Sequence, residues 1–139
     1  MLECLILGDS IAVGVSAKRP ECVSYSKGGI NTWQWNNKYL TKNLTAKTVI
    51  ISLGSNDHKY IKTRRELETM RELVQADMVY WILPHGNLKG SEVPIERIQQ
   101  YVHEVADMYQ DIVLPIKYTQ ADKIHPSDRG YLDLVNKTR

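Results

Sequence analysis

No apolar run in this chain comes near the roughly 18–20 residues that cross a bilayer, so membrane insertion is not expected. The amino-terminus lacks the basic stretch of a secretory leader, and its first apolar segment holds Glu3. The expectation is a cytoplasmic protein, with release by a leaderless route or a place in a larger assembly left open. An excess of one charge is missing too. The formal net charge is +2, with Lys and Arg scattered, which gives no basic face for nucleic acid. Cysteine is scarce: Cys4 and Cys22 are too few for a disulfide framework, and both sit in strand-like segments, so they read as buried free thiols. There is no internal repeat, low-complexity tract or linker, and residues 1–139 read as one domain.

What remains is an ordinary globular composition, 42% hydrophobic and 24% charged, in a chain long enough for one core. Apolar runs and helical patterns alternate along it. Leu2 to Leu7, Cys22 to Ser26, Thr48 to Leu53, Met78 to Leu83 and Ile112 to Leu114 read as strands. The β-branched run Thr-Val-Ile-Ile-Ser-Leu is of the kind covered on both faces. Between the runs, Asn31 to Lys42 reads as a helix with a weak stripe of Trp33, Leu40 and Leu44. Thr63-Arg-Arg-Glu66 has the form of a capping box ahead of Leu67, Met70, Leu73 and Val74. From Pro94 onward, Ile95, Ile98, Val102, Val105 and Tyr109 keep helical spacing, and Tyr131, Leu134 and Val135 close the chain as a helix. Strands alternating with helices predict an α/β fold with a mostly parallel sheet and helices on both faces. Such sheets bind ligands beyond the carboxyl ends of their strands.

Those ends carry chemistry. After the first strand stand Gly8, Asp9 and Ser10; after the second, Gly28 and Gly29; after the third, Ser55, Asn56 and Asp57; beyond the fifth, Asp122 and His125. Ser10 attacks an acyl carbon only if a base takes its proton, and imidazole suits that task. His125 is the candidate base, with Asp122 to fix its tautomer. The Ser10 N–H, the Gly29 N–H (Gly28 as fallback) and the Asn56 side-chain amide are candidate oxyanion donors.

Read together, these blocks resemble the SGNH hydrolases, the GDSL esterase/lipase family. Gly8-Asp9-Ser10 matches the first block, Gly29 the second, Gly54-Ser55-Asn56-Asp57 the third, and Asp122-Lys123-Ile124-His125-Pro126 the last, with Gly130-Tyr131 following. The resemblance implies a flavodoxin-like three-layer α/β/α sandwich with a five-stranded parallel sheet. It also implies hydrolysis of esters or thioesters through a Ser10–His125–Asp122 triad and an acyl-enzyme, with neither metal nor cofactor.

The chain is compact for that family, and the longest irregular piece, Pro84 to Val93, is expected to wall a shallow, open site. An open site favours small acyl groups such as acetyl, with an acylated carbohydrate as the expected substrate. Candidate substrate contacts are Trp33, His58 and His85; of Trp33 and Trp35, one is expected in the core with the other as a candidate stacking face for a sugar ring, and core or half-buried packing of both is the plainer, favoured reading. Each residue also has a plainer reading. Ser10 and Asn56 suit turns, His58 and His85 suit a surface, and Asp9 and Asp57 read as structural. Asp122 and His125 as metal ligands lack a third partner at suitable spacing. The rival functions are a non-catalytic glycan- or protein-binding module on the same fold and, among enzymes, a thioesterase or lysophospholipase.

Overall fold

The computed structural model describes residues 1–139. Five parallel strands, β1 (Leu2–Gly8), β2 (Val23–Ser26), β3 (Ala46–Ser52), β4 (Met78–Ile82) and β5 (Ile112–Leu114), form one sheet in the order β2-β1-β3-β4-β5. Five helices alternate with them: α1 (Ser10–Ala17), α2 (Thr32–Tyr39), α3 (Thr63–Glu72), α4 (Ile95–Met108) and α5 (Asp128–Lys137). This is the flavodoxin-like three-layer sandwich that was expected.

The two-residue period of the strands sorts the core into two layers. Leu5, Leu7, Val49, Ile51, Val79 and Trp81 face one side, where Trp35 of α2, Leu67 and Met70 of α3, and Val102 and Val105 of α4 cover them. Ile6, Ile50 and Ile82 face the other, beneath Ile11 and Val15 of α1 and Leu134 and Val135 of α5. The register joins like to like across the sheet: Leu7 lies opposite Ile51, and Ile51 opposite Trp81. Every central strand is apolar on both faces because each face has its own helical layer. Chain order reverses between β1 and β3, so a crevice opens at their carboxyl ends, the place where this architecture binds ligands.

Several local expectations need correction. Cys4 and Cys22 are joined in a disulfide rather than free. The pairing of Leu5 with Val23 sets Cys4 beside Cys22, their Cα atoms 4.8 Å apart, inside the range a disulfide spans. Closing a loop of this length stabilises the fold by roughly 3 kcal/mol in the chain-entropy account.

Thr63 does not close a capping box. Its hydroxyl donates to buried Asp57 at 2.6 Å, and Lys62, at the cap position, makes no side-chain bond. The box forms instead at α2, where Asn31 and Gln34 exchange side-chain and backbone bonds. Within α2 it is Trp35 that enters the core, its indole N–H donating to the Tyr25 carbonyl, while Trp33 is 55% exposed.

Helix α1 had no warning in the sequence. Gly14 and the β-branched residues of Ser-Ile-Ala-Val-Gly-Val-Ser-Ala are poor helix formers. What holds it is the Asp9 carboxylate, which caps the Ile11 N–H, and the burial of Ile11, Ala12 and Val15 against the sheet. No helix is long and apolar enough to cross a membrane.

Candidate active site

Ser10 is the first residue of α1, delivered to the rim by a tight exit from β1. Gly8 has φ +148°, and a Cβ there would fall 1.9 Å from the Ser52 carbonyl oxygen, so only glycine lets β1 turn this close to β3. Asp9 is completely buried. Its Oδ1 accepts from the Ile11 N–H (3.0 Å) and the Ser52 hydroxyl (3.1 Å), while Oδ2 has no partner within the protein. Burial pushes its pKa up to about 6 against those hydrogen bonds.

The half-buried Ser10 Oγ lies 2.9 Å from Nε2 of His125, across 115 residues of chain. On the other side of the ring, His125 Nδ1 lies 2.7 Å from Asp122 Oδ2. A carboxylate only accepts, so the proton sits on Nδ1, which leaves Nε2 as acceptor for the serine hydroxyl. Asp122 Oδ1 meanwhile accepts the backbone N–H groups of Ile124 and His125, at 2.8 and 3.0 Å. The bond to His125, aided by these two, holds the Asp122 carboxyl down at about 2. Hydroxyl, imidazole and carboxylate thus stand in series, the arrangement that draws a proton off a hydroxyl and returns it to a leaving group.

The loop bearing this pair is fastened from a third side. Lys123, in the left-handed region at φ +59°, offers its carbonyl to Nδ1–H of His85 (2.6 Å) and to the Gly86 N–H (3.0 Å). His85, a candidate substrate contact, is therefore engaged with the segment that carries Asp122 and His125. The Pro84–Val93 segment does stand at this rim, and its Ser91 carbonyl also accepts from the Lys59 N–H.

Backbone donors at the same rim are unpaired. The backbone N–H groups of Ser10, Gly28 and Gly29 make no hydrogen bond within the protein. Gly29 has φ +77° in the turn closed by Ile30 N–H on the Lys27 carbonyl, and a Cβ built on Gly28 would lie 3.9 Å from that of Ser10. Asn56 gives one amide N–H to the Ile30 carbonyl at 3.0 Å, so a second remains for another acceptor. Beneath it, buried Asp57 accepts from the Thr32 N–H, the Thr32 hydroxyl and the Thr63 hydroxyl, at 2.9, 2.7 and 2.6 Å. It ties the starts of α2 and α3 to the loop after β3, and burial raises its pKa.

His58 is exposed, its Nδ1 accepting from the Tyr60 N–H at 3.2 Å. Trp33 lies with Tyr60, Lys62 and Arg65 on an open cleft between α2 and α3. The roles of Ser52, Thr32 and Thr63 in fixing Asp9 and Asp57 had no signal in the sequence, because they depend on contacts between residues far apart in the chain.

No protein-family model matches the chain, and no curated protein matches it in sequence. Solved structures do match in fold. A GDSL-like lipase from Bacteroides thetaiotaomicron superposes with a TM-score of 0.70 at 16% identity, over 98% of this chain and 86% of that one. The C-terminal catalytic domain of Streptococcus pneumoniae peptidoglycan O-acetyltransferase A, solved with a methylsulfonyl adduct, gives 0.69 at 17%, over 98% and 91%. A carbohydrate acetylesterase from Sinorhizobium meliloti gives 0.67 at 14%, over 99% and 98%. The chain has the fold these hydrolytic and acyl-transferring proteins share.

Proposed function

We propose that this chain belongs to the SGNH hydrolases and is a serine esterase acting on small O-acyl groups, acetyl foremost, carried on a carbohydrate. The observation that carries the reading is the Ser10–His125–Asp122 line, joined at 2.9 and 2.7 Å from segments far apart in sequence and set at the switch point of the sheet. A turn serine, a packed histidine and a loop aspartate have no reason to meet in that order.

In the first step His125 takes the Ser10 proton as Oγ bonds to the ester carbonyl carbon. The oxyanion is met by the N–H groups of Ser10 and Gly29 and the free N–H of Asn56. Collapse breaks the carbon–oxygen bond to the alcohol, which leaves with the proton from His125. Water then attacks the acyl-enzyme, gives its proton to His125, and releases the acid and the restored Ser10 hydroxyl. Asp122 keeps Nδ1 protonated and stabilises the imidazolium at each stage.

The carbohydrate part draws on exposed Trp33, set beside Tyr60 on the α2–α3 cleft as a face for a sugar ring. It also draws on the acetylesterase and O-acetyltransferase among the structures of like fold. The Cys4–Cys22 disulfide favours an oxidising compartment as the place of work over the cytoplasm first expected.

The direct test is intact-mass spectrometry after treatment with a small serine-reactive phosphonate. One adduct per chain, mapped to Ser10 and absent from Ser10→Ala, is expected. Folded wild-type protein that stays unlabelled would turn the assignment toward a binding module.

A further inference from the structure

Next to Ser10, whose Cβ lies 3.9 Å from a Cβ built on Gly28, is a cleft of about 340 Å3 lined by Lys27, Gly28, Gly29, Ile30, Gln34 and Lys38. Its charged side chains are of one sign. Lys27 and Lys38 are exposed, and neither is paired with a carboxylate. No acidic residue lines the cleft. The Gln34 amide oxygen accepts from the Asn31 N–H, and its amide N–H2 makes no hydrogen bond within the protein. The Gly28 N–H, which the oxyanion does not use, has no partner in the protein. Two ammonium groups and a set of N–H donors, with no acceptor charge among them, make a surface complementary to an anion.

The position of the cleft decides which half of a substrate enters it. The leaving alcohol takes its proton from Nε2 of His125, so it lies on the imidazole side of Ser10. His125 is not part of the cleft, whereas Gly28 and Gly29 are its wall. The cleft therefore adjoins the carbonyl end of the ester, where Gly29 meets the oxyanion, and the acyl substituent is the half of the substrate assigned to it.

We infer that this cleft selects acyl groups ending in an anion, such as the half-ester of a dicarboxylic acid, with Lys27 and Lys38 as the specificity-determining residues. The inference rests on the esterase reading and replaces its acetyl preference with an anion-ended acyl group, since a plain acetyl group gives neither lysine an anionic partner.

The test compares two matched ester pairs. On the acyl side, mono-para-nitrophenyl adipate is set against para-nitrophenyl hexanoate. On the alcohol side, para-acetoxybenzoate is set against its methyl ester. Wild type, Lys27→Met, Lys38→Met and the double variant are assayed for kcat/KM. The adipate-to-hexanoate ratio is expected to fall about three- to fivefold in each single variant and roughly tenfold in the double, in line with solvated ion pairs. The wild-type ratio should also fall as salt rises from low ionic strength. An adipate-to-hexanoate ratio that the double variant leaves unchanged overturns the inference, and so does a response confined to the acetoxybenzoate pair. Loss of the esterase reading itself has a different signature: no ester is turned over and the phosphonate leaves Ser10 unlabelled. That result sinks both.

Discussion

The two halves of the candidate site are built in opposite ways. The half at the ends of β1 and β3 is interior: Asp9 and Asp57 are buried, and their carboxylates are hydrogen-bonded into the strand ends and helix starts. The half contributed by the loop before α5 is outside. The side chains of His125 and Asp122 are 34% and 41% exposed and are held by their own turn and by the Lys123 carbonyl. The difference teaches where stability and chemistry reside. The strand half secures the fold and presents Ser10 on it. The loop half adds the proposed base and little to the core, so its residues are free to serve the proposed reaction.

Mutation can break that division, starting with its largest effect. His125→Ala should lower kcat by about 10⁴-fold or more, as removal of a triad base does. Its midpoint of thermal unfolding should stay within about 2 °C of wild type, since only part-exposed surface is lost. Full activity in this variant would remove His125 from the mechanism. A large fall in the midpoint would place the loop in the stability core and erase the contrast. Asp57→Ala is the opposite probe. It strips partners from the Thr32 N–H and two threonine hydroxyls in the interior, a loss of roughly 2–4 kcal/mol. Urea unfolding should show that loss in its midpoint; a neutral result would mean that relief from burying the charge cancels the lost bonds.

The same contrast marks what could be read from the sequence. Strands β1, β3 and β4 announce themselves because both their faces are apolar, and α4 because its stripe is long and regular. The site blocks were legible for a related reason: the topology sends every strand end to one rim, so residues scattered from Ser10 to His125 converge without long-range information. What stayed hidden depends on partners far away in the chain. Helix α1 is held by the sheet under it and the cap at its start rather than by its own propensity. Thr63 looked like a cap because its spacing to Glu66 is right, yet Asp57 claims its hydroxyl. The disulfide follows from the β1–β2 register, which no local pattern of Cys4 or Cys22 encodes.

The last expected effect is read as a slope with pH rather than as a lost activity or midpoint, and it is the sharpest test of how closed the strand half is. Asp9 has its pKa pushed from the ordinary 3.8 up to about 6 by complete burial. The folded protein therefore binds a proton at Asp9 at a pH where the unfolded chain still holds a carboxylate. By linkage, stability contributed at this position falls as pH rises from about 4 to about 6, and is greatest below that window, where both states are protonated. At about 1.36 kcal/mol per unit, the full swing is about 3 kcal/mol, net of the capping bonds from Ile11 and Ser52, which favour the ion. Asp57 slopes the same way, and Asp122, held low, acts only at more acid pH, so wild type alone cannot isolate the effect. Asp9→Asn can. Asparagine keeps an acceptor for the Ile11 N–H and the Ser52 hydroxyl but does not titrate. The stability of wild type relative to this variant, measured by urea unfolding from pH 4.5 to 7.5, should decline with rising pH and level off above about 7. A difference that stays flat would mean that Asp9 is ionised in both states, with the second carboxylate oxygen reached by solvent, and the interior character of this half would be lost with it.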